Sequence, residues 1–191
     1  MAFKKISTKG HSPFGLTLDG EGFYFKGNSA ADVIVGSRKD DYLIGASGND
    51  RLSGGAGGDL LNGGAGNDVL RGGAGVDHFV FSTNLDTAGV DRITDFRGRI
   101  GEKIMLNAYV FEAVEVSPKL PVDVDARDRG GLAASNFVVG KSAQDASDRI
   151  VYDQETGALY YDADGNGAAA AVQFAQFRAG TVLKADYFLV F

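Results

Sequence analysis

GGAGGDLLN at 54–62, GGAGNDVLR at 63–71 and GGAGVDHFV at 72–80 are successive copies of one nine-residue unit. Three looser copies precede them: GNSAADVIV at 27–35, GSRKDDYLI at 36–44 and GASGNDRLS at 45–53. The sixth position is Asp in every copy, namely Asp32, Asp41, Asp50, Asp59, Asp68 and Asp77, and the eighth is Ile34, Leu43, Leu52, Leu61, Leu70 or Phe79. A fixed period with one acid and one large apolar side chain marks a stacked architecture, in which each unit buries its apolar face only against its neighbours.

The Gly-rich half of the unit suits a tight turn, because Gly tolerates positive φ and lets successive carbonyls face a common centre. The last three residues suit a short strand whose middle side chain points inward. Two units then make one coil, and the six copies make three coils. Stacking brings the Asp of one copy beside the Asp two copies on, roughly 4.8 Å away, where two carboxylates repel by a few kcal/mol at an effective dielectric of about 20. Each coil buries only two large side chains, too little to offset both this repulsion and the ordering of its backbone. The repeat block is therefore expected to need a ligand in order to fold.

A hard cation meets the need. Calcium takes about six to eight oxygens from carboxylates and carbonyls in tolerant geometry, whereas magnesium keeps its waters and demands a stricter octahedron. Zinc and softer metals lack ligands, since the chain has no Cys and only two His, His11 and His78.

The GGxGxDxUx pattern resembles the repeats of the RTX (repeats-in-toxin, hemolysin-type) proteins. The resemblance implies a calcium-filled parallel β-roll in which turn carbonyls and the Asp of stacked turns hold each ion. It pairs Asp50 with Asp68 and Asp59 with Asp77, and takes carbonyls from Gly55, Gly57, Gly64, Gly66, Gly73 and Gly75. The first two copies depart from the pattern: Ser37 and Lys39 replace Gly in the second, Asn28 and Ala30 in the first. The expected ligand set therefore runs from Asp41 to Asp77 and omits Asp32.

Beyond the repeats the chain reads as β throughout. Strands are expected at 21–26, 79–81, 91–96, 103–106, 136–140, 149–153, 158–162 and 171–177, with turns at 154–157 and 164–167. Residues 112–131, with Pro118 and Pro121, read as a surface loop. The stretches GVDHFVF at 75–81, DRITDF at 91–96 and DRIVYDQETGALYYDADGNG at 148–167 resemble the region after the roll in serralysin-type secreted metalloproteases. The fold class expected is all-β, a parallel β-roll followed by a β-sandwich-like antiparallel extension. Its parts are an N-terminal segment at 1–26 with Phe23 and Phe25 capping the first coil, the roll at 27–80, and a C-terminal β domain at 81–191.

Other chemistry finds little support. The serralysin HExxHxxGxxH zinc motif is missing, so no protease activity is expected. GHSPF at 10–14 has Phe14 where a nucleophile elbow needs Gly, and GKS at 140–142 lacks the upstream Gly of a phosphate loop. Asp162, Asp164 and Asn166 match the opening of an EF-hand loop, but Gln173 replaces the bidentate Glu, and a hairpin turn is the simpler reading. The net charge of −6 and the lack of a basic cluster argue against nucleic acid. No apolar run is long enough for a transmembrane helix. The N-terminus has positive charges without an apolar stretch behind them, so an export address is expected elsewhere. The C-terminal ADYFLVF is similar to the ends of RTX proteins exported by type I secretion. That implies transient contact with an ABC transporter complex and a secreted, extracellular protein. An adhesive or surface-associated structural protein, a secreted enzyme or toxin with a site not yet recognised, and an accessory chain of a secreted enzyme or toxin remain the alternatives. Circular dichroism with added EGTA checks the ligand argument, with loss of the β spectrum on chelation as the expected result.

Overall fold

The triplet Asp-x-apolar places the strands, since each begins just after its Asp and turns the apolar residue inward. The computed structural model describes residues 14–18, 22–117 and 130–191. Six repeat strands follow in order: β3 (Val33–Val35), β4 (Tyr42–Ser47), β5 (Arg51–Ala56), β6 (Leu60–Ala65), β7 (Val69–Ala74) and β8 (His78–Phe81). Even-numbered strands lie in one sheet and odd-numbered strands in the other, all parallel within their sheet. The register advances by two copies, Tyr42 pairing with Leu60 and Arg51 with Val69. Ile34, Leu43, Leu52, Leu61, Leu70 and Phe79 stack between the sheets, each at most 2% exposed.

Both sheets extend beyond the repeats. Before them, β1 (Phe14–Leu18) and β2 (Gly22–Lys26) form an antiparallel hairpin, and β2 joins β4 in parallel. Sequence reading expected a single strand here, at 21–26, and β1 is a second one paired with it. Phe25 is buried at the end of the apolar stack, and Phe23 is half-buried. The sequence positions His11 and Ser12 lie outside the described residues.

After the repeats come α1 (Leu85–Ala88), β9 (Asp91–Ile93) and β10 (Lys103–Leu106). β9 pairs in parallel with β7, and β10 with β8. Ile93 and Ile104 continue the apolar stack, 1% and 0% exposed. The helix was not expected, and it is short enough that no periodicity marks it. The remaining strands are β11 (Gly130–Gly131), β12 (Phe137–Val139), β13 (Ile150–Asp153), β14 (Ala158–Tyr161), β15 (Val172–Gln176) and β16 (Phe188–Val190). β13, β14 and β15 are antiparallel as expected. Parallel pairs join β15 to β9, β16 to β10 and β12 to β13, so the extension continues the roll's two sheets. The stretch 112–131 is not all loop, because Val116 bridges Leu132 and β11 pairs with β16, while 118–129 lies outside the described residues.

Aromatic side chains close the wider end. Phe96 meets Phe79, Phe177 and Tyr187 with ring centroids 5.6–6.1 Å apart, and Phe111 meets Tyr161 and Phe174 at 5.2 and 5.1 Å. Leu61→Ala, in the middle of the stack, is expected to cost about 2–5 kcal/mol. Val33→Ala on the exposed outer face should change stability by less than about 0.5 kcal/mol. Urea denaturation of both variants in saturating calcium checks the contrast.

Candidate metal centre

Each repeat Asp starts its strand at the edge of the roll, and all six are buried, with exposures of 0–3%. They form two columns. One carboxylate oxygen, Oδ1, accepts the backbone N–H of the Asp one coil earlier: Asp32 N donates to Asp50 at 2.7 Å, Asp50 N to Asp68 at 2.7 Å, Asp41 N to Asp59 at 2.8 Å and Asp59 N to Asp77 at 3.0 Å. The expected stacking of one Asp on the next is thus present, with an amide hydrogen between them.

The other oxygen separates the copies into two groups. In the first two copies it is satisfied within its own turn, by Asn28 N for Asp32 at 2.9 Å and by Ser37 N for Asp41 at 2.5 Å. The Oδ1 of Asp41 also accepts from Phe23 N at 2.6 Å. In copies three to six, Oδ2 of Asp50, Asp59, Asp68 and Asp77 is buried with no hydrogen-bond partner. Asp41 therefore resembles Asp32 more than the four that follow it. A buried carboxylate oxygen left unpaired costs free energy unless a cation or proton reaches it.

The turn carbonyls supply the rest of the cage. A Cβ built on Gly64 or Gly66 would lie 2.1 Å from the Ala46 carbonyl oxygen or 2.0 Å from that of Gly48. Gly73 and Gly75 stand likewise over the carbonyls of Gly55 and Gly57, at 2.2 and 1.9 Å. Carbonyls at the second and fourth positions thus point onward to the next coil. Between copies three and five the onward oxygens belong to Ala46 and Gly48, and between copies four and six to Gly55 and Gly57, while the Gly66 carbonyl points on toward Gly89. The carbonyls of Gly73 and Gly75 point past the last copy, where both accept from the Arg97 guanidinium. At these second and fourth positions positive φ and close approach favour Gly, with φ of 107° and 124° at Gly73 and Gly75, and Ala46 at 84° is the non-Gly exception.

Sequence reading missed two further acids. Asp91 Oδ1 accepts from Asp68 N at 3.1 Å, and Glu102 stands beside Asp77 because Lys103 pairs with His78. Both are buried. The signal was present in Asp91-Arg92-Ile93 and Glu102-Lys103-Ile104, which repeat the acid-x-apolar triplet after longer turns that hide the period. Asp95 is also engaged, its oxygens accepting from Gly72 N and Gly73 N at 3.0 Å each.

Among the described residues no three His, Cys, Asp or Glu side chains converge as a metal-ligand group. A cage built of carboxylate and backbone oxygens is a hard-cation cage, and it suits calcium rather than zinc. Asp162, Asp164 and Asn166 build a turn: Asp164 N donates to Asp162 Oδ1 at 3.3 Å, and Asp164 Oδ2 caps Ala169 N at 3.0 Å.

Burial pushes the carboxylates up, to about 6 at Asp50, about 7 at Asp59 and about 8 at Asp91, against the lowering effect of the amides they accept. Burial raises Asp68 and Asp77 as well. The neighbouring carboxylates raise Asp50, Asp59 and Asp91 further, but loss of water is the larger cause. Mutual repulsion is therefore the smaller part of what a metal would relieve.

The RTX calcium-binding nonapeptide repeat matches residues 26–61 and 53–83. The repeat block is an RTX calcium-binding β-roll. No curated protein matches the chain. The fold is similar to that of the extracellular lipase LipA from Serratia marcescens, with a TM-score of 0.50 at 20% identity over 87% of this chain. This chain spans 20% of the lipase. Two subunits of the Azotobacter vinelandii mannuronan C5-epimerase, AlgE6R2 and AlgE6R3, match at 24% identity with TM-scores of 0.49 and 0.47. They match over 86% and 84% of this chain and 90% and 79% of their own.

The raised carboxylates give the RTX roll a pH signature. A folded value above the 3.8 of an ordinary Asp means that the metal-free folded state holds protons which the unfolded chain releases. The stability linked to them is full below about pH 4 and is lost as pH rises through 6, 7 and 8. Calcium needs the ionised form, so its affinity moves the opposite way. In EGTA, the folded fraction read by circular dichroism is expected to rise between pH 8 and pH 5, while calorimetry shows calcium binding weaken over the same interval.

Proposed function

We propose that the chain is a secreted RTX module whose folding is switched on by calcium outside the cell, and that it has no catalytic role of its own. The four unpartnered Asp oxygens, buried and in register, carry this reading. The ion between copies three and five would be held by Asp50, Asp68 and the carbonyls of Ala46 and Gly48. That between copies four and six would be held by Asp59, Asp77 and the carbonyls of Gly55 and Gly57. Asp91 extends the first column, with Asp68 and the Gly66 carbonyl at its side. Calcium supplies positive charge to oxygens that have neither water nor a donor.

Calcium-dependent folding fits export through a narrow channel. Where calcium is scarce the buried carboxylates oppose folding, and the chain stays open. Where it reaches about the millimolar level, sites of weak extracellular affinity fill, and binding energy becomes folding energy. The C-terminal segment supports the same order of events. Phe188 and Val190 are 0% and 1% exposed in β16, so a transporter could read them only before the chain folds. The address and the strand are then successive states of one segment.

Asp59→Ala and Asp68→Ala test the assignment by calcium titration, read for folding and for ion stoichiometry. Each variant is expected to bind fewer ions than the native chain and to need more calcium to fold. Unchanged stoichiometry in both would overturn the ligand set.

A further inference from the structure

The two edges of the roll end differently. On the edge of copies one, three and five, the column passes from Asp68 to Asp91, and Gly66 N and Val90 N keep the ladder by bonding Ala88 O and Asn67 Oδ1, each at 2.9 Å. On the other edge the last turn, 72–77, faces the segment 97–102. Its closing acid, Glu102, holds the position that Asp holds in the copies.

The space between Asp77 and Glu102 contains the Arg97 guanidinium. Its Nη2 donates to the carbonyl of Gly73 and, at 3.2 Å, to that of Gly75. The same nitrogen lies 2.8 Å from Glu102 Oε1 and 3.7 Å from Asp77 Oδ2. Arg97 Nε donates to Glu102 Oε1 at 2.9 Å, and its backbone N–H donates to Oε2 at 2.5 Å. Two second- and fourth-position carbonyls and two buried acids thus surround one cation. One gap earlier, the carbonyls of Gly55 and Gly57 and the acids Asp59 and Asp77 form the equivalent set.

We propose that the Arg97 guanidinium stands in for a calcium ion at the end of this edge, closing the column with a cation carried by the chain itself. The inference rests on ions filling the gaps between stacked turns. An arginine stays protonated at any physiological pH and offers several donors in a fixed plane. It can therefore satisfy carbonyl and carboxylate oxygens together. Unlike an ion it cannot dissociate, so turn 72–77 keeps its partner whatever the calcium concentration. The cost is a single positive charge where calcium brings two, which leaves Asp77 and Glu102 incompletely neutralised.

Removing the guanidinium should uncover a hard-cation site made of Gly73 O, Gly75 O, Asp77 and Glu102. Native mass spectrometry and calorimetry at saturating calcium provide the test. Arg97→Ala is expected to bind about one calcium more than the native chain, by the donor-set argument. Arg97→Lys, which keeps a cation in place, should bind the native number. Equal stoichiometry in Arg97→Ala and the native chain overturns the proposal. A native chain that binds no calcium overturns the metal assignment along with it. Should Arg97→Ala fail to fold even in saturating calcium, a crystal of the native protein grown with calcium decides. No ion bonded by Gly73 O and Gly75 O supports the proposal, and an ion there with Arg97 displaced overturns it.

Discussion

The fold depends on a carboxylate divided between two tasks. One oxygen of each repeat Asp from the third copy on is committed to the backbone, where it accepts the amide of the preceding coil and fixes the register. From the third copy on, the other oxygen has no hydrogen-bond partner in the protein. The bond that builds the column also carries a bare oxygen into a place that water does not reach. The architecture therefore presents buried, unpaired carboxylate oxygens at regular intervals, a pattern that a hard cation matches.

That demand explains why the edges look as they do. The second and fourth positions of the best-formed copies are Gly because the carbonyl of the coil below comes within about 2 Å of any Cβ placed there. The first two copies relax the rule and also satisfy their acids within their own turns, through Asn28 and Ser37. The unpartnered oxygen is lost where Gly is missing from both positions, whereas the third copy, with Ala46 at the second but Gly48 at the fourth, keeps it. At the far end, Arg97 and Glu102 give the last turn its own charge pair. On the edge of copies two, four and six, the acids with a bare oxygen thus lie between a turn that satisfies its own Asp and one that meets a guanidinium.

The extension contributes on the apolar side. Short repeat strands bury one large residue apiece, and a thin stack leaves its wider end open. Phe96, Phe111, Phe174, Phe177 and Tyr187 close that end through edge-on and tilted ring contacts, and β16 pairs with β10. Aromatic pairs in such geometry add about 0.5–1.5 kcal/mol each beyond the area they bury. The C-terminal strand is thus one of the elements that close the roll.

The repeat alone determined the roll, because an acid and an apolar residue recurring every nine positions admit one arrangement that buries the second and aligns the first. It also determined the choice of a hard cation, since oxygen is the only ligand chemistry that every copy repeats. Tertiary structure decided which oxygens are left unpartnered, because that depends on whether a turn's own amide or side chain reaches its Asp, as Ser37 reaches Asp41. It also decided how the columns end. Asp91, Arg97 and Glu102 fall outside the nine-residue phase, and longer turns bring them into line with it only once β9 and β10 pair onto the roll. Local spacing can announce a periodic stack, but what closes the stack is set by contacts between residues that the period does not relate.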